Sequence, residues 1–167
     1  MELTTEQLQD LVGDGKVRLS DDIIIQWAEL PDEYTSLNDY DCYGKVEWRE
    51  PNHYGRHRRP EGFDGMAEIV WGYNEAYWWQ PPTDLRSGWH NYEHKNHLRN
   101  CVREILAFGF YVYKVELCQG EDAYGRPIVV DFATIGGIEP LLKDDDKASY
   151  LADLVAELDS SLIEEKV

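Results

Sequence analysis

Two segments in the second half of the chain, FYVYKVELCQ at 110–119 and PIVVDFATI at 127–135, flank the turn-forming stretch GEDAYGR at 120–126. The flanking segments alternate or string together β-branched and aromatic residues, while the connection is polar and glycine-containing. This pattern predicts an antiparallel hairpin with a long connection. Gly136-Gly137 is expected to break its second strand. An isolated hairpin is marginal in water, so the rest of the chain has to supply an apolar layer against it.

Other segments extend the same reading. DDIIIQWAELP predicts a buried strand at Ile23, Ile24 and Ile25. KVEWRE alternates, with Val46 and Trp48 on one face and Lys45, Glu47 and Arg49 on the other. MAEIVWGY sets Ala67, Ile69, Trp71 and Tyr73 against Glu68 and Val70. Three helices are predicted. Thr4 caps the first in a capping box with Gln7; Leu8, Leu11 and Val12 make its apolar face, and Gly13 and Gly15 end it. A second runs over about residues 90–108, with Leu98, Cys101, Val102, Ile105 and Phe108 as its apolar stripe and Gly109 as its stop. In the third, Leu151, Leu154, Val155, Leu158 and Leu162 recur at helical spacing, with Asp144, Asp145 and Asp146 near its N-terminus, where negative charge is favourable. The expected class is α+β: about five mostly antiparallel strands with two or three helices packed on one face. The length suits one domain, taken as residues 1–167.

Charge narrows the partners. The chain carries a formal net charge of −17. Residues 1–50 and 104–167 each contribute −9 and enclose a middle, 51–103, at +1. A field of this sign repels nucleic acid and anionic membranes, so nonspecific nucleic-acid binding is not expected. No apolar run approaches membrane-spanning length, and the polar N-terminus lacks a signal-peptide apolar region. Three cysteines without paired spacing fit free thiols in a reducing cytoplasm.

Three clusters are candidates for function. GWHNYEHKNHLRNC places His90, His94, His97 and Cys101 on one stripe if it is helical throughout, but about 16 Å of axis separates its ends. One zinc ion cannot take all four, so at most a pair such as His90/His94 or His97/Cys101 shares a metal, with other ligands from elsewhere. No cofactor is expected, with zinc at His90, His94 or His97 the exception to test. HYGRHRRPEG concentrates Arg56, His57, Arg58 and Arg59, whose guanidinium forks suit phosphate or carboxylate ligands; a solvated loop pairing with the acidic flanks is the plainer reading. WGYNEAYWWQPP supplies aromatics. If its strand runs on, Trp71, Tyr73, Tyr77 and Trp79 share a face with Trp78 opposite. Exposed, they would anchor a protein partner or stack bases; buried, they are core. No phosphate-loop, nucleophile-elbow or metalloprotease signature is present.

DCYGKVEW, RPEGFDG, WWQPPTDLRSGW and NHLRNCVREIL resemble segments of small accessory proteins of bacteriophages that infect actinobacteria, over about residues 40–140. No activity travels with that resemblance. It implies expression in an infected bacterium's cytoplasm and a role against or alongside host machinery. The leading expectation is a non-enzymatic binding protein that inhibits or redirects a host protein, such as a defence or nucleic-acid-handling factor. Alternatives are sequestration of a small nucleotide by the Arg/His loop and aromatics, a metal-dependent hydrolase, and a minor virion structural protein.

Overall fold

The computed structural model describes residues 1–49, 59–82 and 91–164. In chain order the elements are α1 (Thr5–Asp14), β1 (Lys16–Arg18), β2 (Ile23–Asp32), β3 (Lys45–Trp48), β4 (Glu68–Trp71), β5 (Ala76–Gln80), α2 (Asn91–Phe108), β6 (Phe110–Glu121), β7 (Pro127–Ile138) and α3 (Asp144–Glu157). The class is α+β, as expected. Among the described residues there are seven strands in two antiparallel sheets, ordered β1-β2-β6-β7 and β3-β5-β4. Contacts divide the chain into two compact units, Met1–Pro31 with Tyr111–Val167, and Asp32–Phe110.

The first unit is built on the predicted hairpin. β6 and β7 pair from Tyr111↔Ile138 to Glu121↔Pro127. Gly136-Gly137 does not end β7; the register shifts between Tyr111 and Tyr113, and Gly137 at φ 67° carries the strand through the irregularity. Alternation puts Tyr113, Val115 and Leu117 on one side of β6, at 2%, 0% and 0% exposure. They pack with Leu11 of α1 and Leu151, Leu154 and Val155 of α3. Of the three isoleucines of β2 only Ile25 is fully buried; Ile23, on the same face, is half-buried against the same layer, and Ile24 alternates to the other face. α1 starts as the sequence predicts: the Thr4 side chain accepts the Gln7 N–H, and the Gln7 side chain accepts the Thr4 N–H. Its end is Gly15 alone, at φ 77°, with Gly13 inside the helix. α3 stops at Glu157, so Leu162 falls in a 3-10 turn beyond it and is 47% exposed.

The second unit packs α2 against β4, beside β3 and β5. Its core holds Leu37, Val70, Trp79, Val102, Ile105 and Phe110. α2 buries Val102 and Ile105 with Leu98 and Leu106 alongside, while Phe108 is 53% exposed. The packed stripe is thus rotated towards Leu106 relative to the expected one. Gly109, at φ 76°, closes the helix with its N–H on the Ile105 carbonyl. Two 3-10 turns, Leu37–Asp39 and Asp41–Tyr43, lie between β2 and β3, the first capped by Ser36 and Asp39.

Gly44 links the second of these turns to β3 at φ 83°, and a Cβ there would lie 2.0 Å from the Gln80 carbonyl oxygen. Gly15 is also left-handed but has open space around it. Urea denaturation should therefore show Gly44→Ala losing about 3 kcal/mol or more, against about 1 kcal/mol for Gly15→Ala. Equal losses would contradict the close approach at Gly44.

Candidate functional site

The aromatic segment does not run on as one strand. Gly72 N–H bonds to the Glu75 carbonyl at 2.9 Å, and the chain turns between β4 and β5. Trp71 pairs with Ala76, Ile69 with Trp78 and Glu68 with Trp79. Residues directly opposite share a face. Trp71 and Trp78 therefore stand on one side of the sheet. Tyr77 and Trp79 stand on the other, with Glu68, Val70, Val46 and Trp48. This corrects the expected grouping of Trp71 with Tyr77 and Trp79, and it makes Glu68/Val70 the packed face of β4. A continuous strand preserves parity; the turn resets it.

Burial sorts the five candidates. Trp79 is 0% exposed and donates its indole N–H to the Tyr43 carbonyl at 2.7 Å, so it is core and cannot contact a partner. Tyr77 and Trp78 are half-buried. The Tyr77 hydroxyl donates to Glu75, and burial, reinforced by that carboxylate, raises the phenol's pKa. Trp71 is 55% exposed and Tyr73, in the turn, 78%. Trp48, not singled out from the sequence as a binding residue, is 50% exposed. It borders a cavity of about 340 Å³ whose apolar lining includes Val46, Tyr77, Ile105, Leu106 and Phe110. The alternation of Val46 with Trp48 put it on the inner side of β3; the shortness of the covering layer, which no local pattern encodes, leaves it open.

The cavity's polar lining is already engaged. Asp32 accepts the N–H groups of Tyr34 and Thr35 and the Thr35 hydroxyl. The Asn38 carboxamide accepts the Val46 N–H at 2.9 Å and donates to the Val46 carbonyl at 3.0 Å, occupying the outer edge of β3 as a further strand would. Beside these engaged groups the lining offers the apolar and aromatic surface of Val46, Trp48, Tyr77 and Phe110.

Glu68 anchors α2 to the sheet. Arg99 donates to both its carboxylate oxygens and Lys95 lies 3.4 Å away. Arg99 also stacks 5.9 Å from the Trp79 ring. Burial pushes the Glu68 pKa up, but the two cations together outweigh it and hold the carboxyl below its ordinary value.

Of the predicted metal ligands, His90 lies outside the described residues. His94 and His97 are both helical and exposed, and the Cys101 sulfur lies 3.8 Å from His97 Nε2. Asn96 sits inside α2, where its side chain accepts from Arg99. Among the described residues no group of three His, Cys, Asp or Glu is placed to hold a metal ion. Arg56, His57 and Arg58 also lie outside the described residues; Arg59 is exposed. None of the three cysteines is in a disulfide; Cys42 is exposed and Cys118 buried. No helix of the described residues is long and apolar enough to cross a membrane.

The fold and site together define an α+β chain with a half-open aromatic sheet and an open cavity of mixed polar and apolar lining. No family model matches it, and no curated protein or solved structure does either.

The Glu68 cluster has a definite pH signature. A carboxyl held below its unfolded value contributes stability that is complete above that value, 4.5, and is lost as pH falls through the lower folded value. Glu68→Gln should cost about 1 kcal/mol at neutral pH in denaturant titrations. The gap from the parent should shrink once pH drops below 4.5. A gap that widens on acidification would show that the ion pairs do not set the carboxyl's titration.

Proposed function

We propose that the chain is a non-enzymatic acidic binding protein that engages a host protein through the aromatic sheet of the Asp32–Phe110 unit, inhibiting or redirecting it. The observation carrying this reading is the exposure of Trp48 and Trp71, each about half open, in a unit that buries Trp79 completely. Trp48 borders the cavity and Trp71 stands on the other side of the sheet; half-exposed tryptophans are residues that dominate binding energy when a partner excludes water from them. The resemblance to phage accessory proteins supports a host-directed role.

The charge distribution supports how such a partner would be met. On α1, Glu6, Asp10 and Asp14 are exposed at four-residue spacing. On α3, which packs beside it, Asp145, Asp153 and Glu157 are exposed, and the one basic residue, Lys147, is tied to Glu29 at 3.0 Å. This outward acidic layer would steer a basic partner surface into encounter.

Nucleotide sequestration is less well supported. Asp32 lines the cavity beside Trp48, the wrong sign for a phosphate, so an apolar or aromatic side chain of a protein suits the space better.

Capture from a lysate of an actinobacterial host, compared between the parent and a Trp48→Ala, Trp71→Ala variant, tests the reading. The variant should keep its fold and retain less than about a tenth of the parent's bound partner. Undiminished capture by the folded variant would remove this surface from the function. Trp79→Ala should instead lose about 3–5 kcal/mol of stability, the cost of emptying a core site. With the captured partner purified, its association rate should fall steeply as salt is raised while dissociation changes little. A rate indifferent to salt would eliminate steering by the acidic layer.

A further inference from the structure

The two edges of the β1-β2-β6-β7 sheet are protected very differently. β1 has three residues, and its Lys16 and Arg18 are exposed, the short charged form that discourages further pairing. β7 has twelve residues. Along it Ile128, Val129, Phe132 and Ile135 are 44%, 41%, 58% and 37% exposed. Its one charged residue is Asp131, whose carboxylate accepts the Asp159 N–H at 2.8 Å. Among the described residues no strand lies beyond β7. The outward N–H and C=O groups of an edge strand are matched best by another extended chain.

We propose that this occupant is β7 of a second copy, paired antiparallel about a two-fold axis at Ala133. Asp131–Ile135 pairs with Leu117–Tyr113 without a register shift, and the irregularities fall on either side of it. That regular run is where a further strand adds with least distortion. Centred on Ala133, the pairing sets Phe132 of each copy against Thr134 of the other, an aromatic with a β-branched residue on the same face. Asp131 meets Ile135, so no two carboxylates oppose each other. The isologous contact closes after two copies. The product is one continuous sheet with twice the four strands of the monomer. Its dimer interface uses residues of β7, a different strand set from the aromatic sheet.

Sedimentation velocity of the full chain over a wide concentration range tests the proposal. A reversible monomer–dimer equilibrium is expected, with Phe132→Lys raising its dissociation constant at least about tenfold while circular dichroism and the melting temperature stay close to the parent's. A chain monomeric at every concentration overturns the proposal, as does a dimer that Phe132→Lys leaves intact. Register is read separately in a Cys42→Ser background. Mixed Phe132→Cys and Thr134→Cys chains should form an intermolecular disulfide on mild oxidation more readily than either chain alone. Crosslinking no better in the mixture than in the separate chains overturns the Ala133 axis.

Discussion

Burial of one row of β6 is the constraint on which the first unit depends. Tyr113, Val115 and Leu117 face α1 and α3, and each apolar side chain removed from water there contributes about 1.5–3 kcal/mol. The row sets which face of β2 turns inward at Ile25, where β7 lays Ala133, and which stripes of α1 and α3 are apolar. Tyr113 shows how strict that layer is. Burial, with Glu29 and Tyr150 adding to it, pushes its phenol up to about 12, so it stays neutral throughout the physiological range. Its ring makes edge contacts with both Trp27 and Tyr150. Trp27 in turn donates its indole N–H to the Leu11 carbonyl, joining β2 to α1 through one polar contact at the edge of an apolar layer.

The Asp32–Phe110 unit solves the same problem with less material. Its sheet has three short strands, and its core relies on one large residue, Trp79, together with α2. A tryptophan can be buried completely only if its N–H is satisfied, and the Tyr43 carbonyl meets that need. Fixing Tyr43 in turn requires the turn at Gly44, where any side chain would collide with Gln80. The Glu68–Arg99–Lys95 group then fixes α2 on the sheet. A small core of this kind leaves large side chains uncovered at its margins, and Trp48 and Trp71 are the result. The same economy that limits the unit's stability creates the surface to which a binding role is assigned.

Electrostatics divides the molecule by task. Acidic residues crowd the outward faces of α1 and α3, whereas in the second unit Lys95 and Arg99 are spent internally on Glu68. A net charge of −17 favours solubility and long-range attraction of basic surfaces while opposing contact between copies of the chain. Self-pairing at β7 is compatible with that charge because the strand carries a single carboxylate and that carboxylate is already hydrogen-bonded.

Much of the fold was legible from local chemistry. The β6–β7 hairpin, the capping box at Thr4, the end of α2 at Gly109 and the α+β class follow from side-chain periodicity and from backbone preferences, which act over a few residues. The errors share one cause. Whether WGYNEAYWW was one strand or two decided the face of every aromatic in it, and a four-residue turn changed the answer. Likewise, Leu162 fits the helical period of α3, Phe108 that of α2 and Gly136-Gly137 a strand end, yet packing stopped α3 earlier, rotated α2 towards Leu106 and bulged β7. Periodicity states which residues can share a face. Only the tertiary structure decides which face is covered, because coverage depends on partners distant in the chain. That is why Trp79 became core, Trp48 and Trp71 remained open, and His94 and His97 stand on the surface of α2.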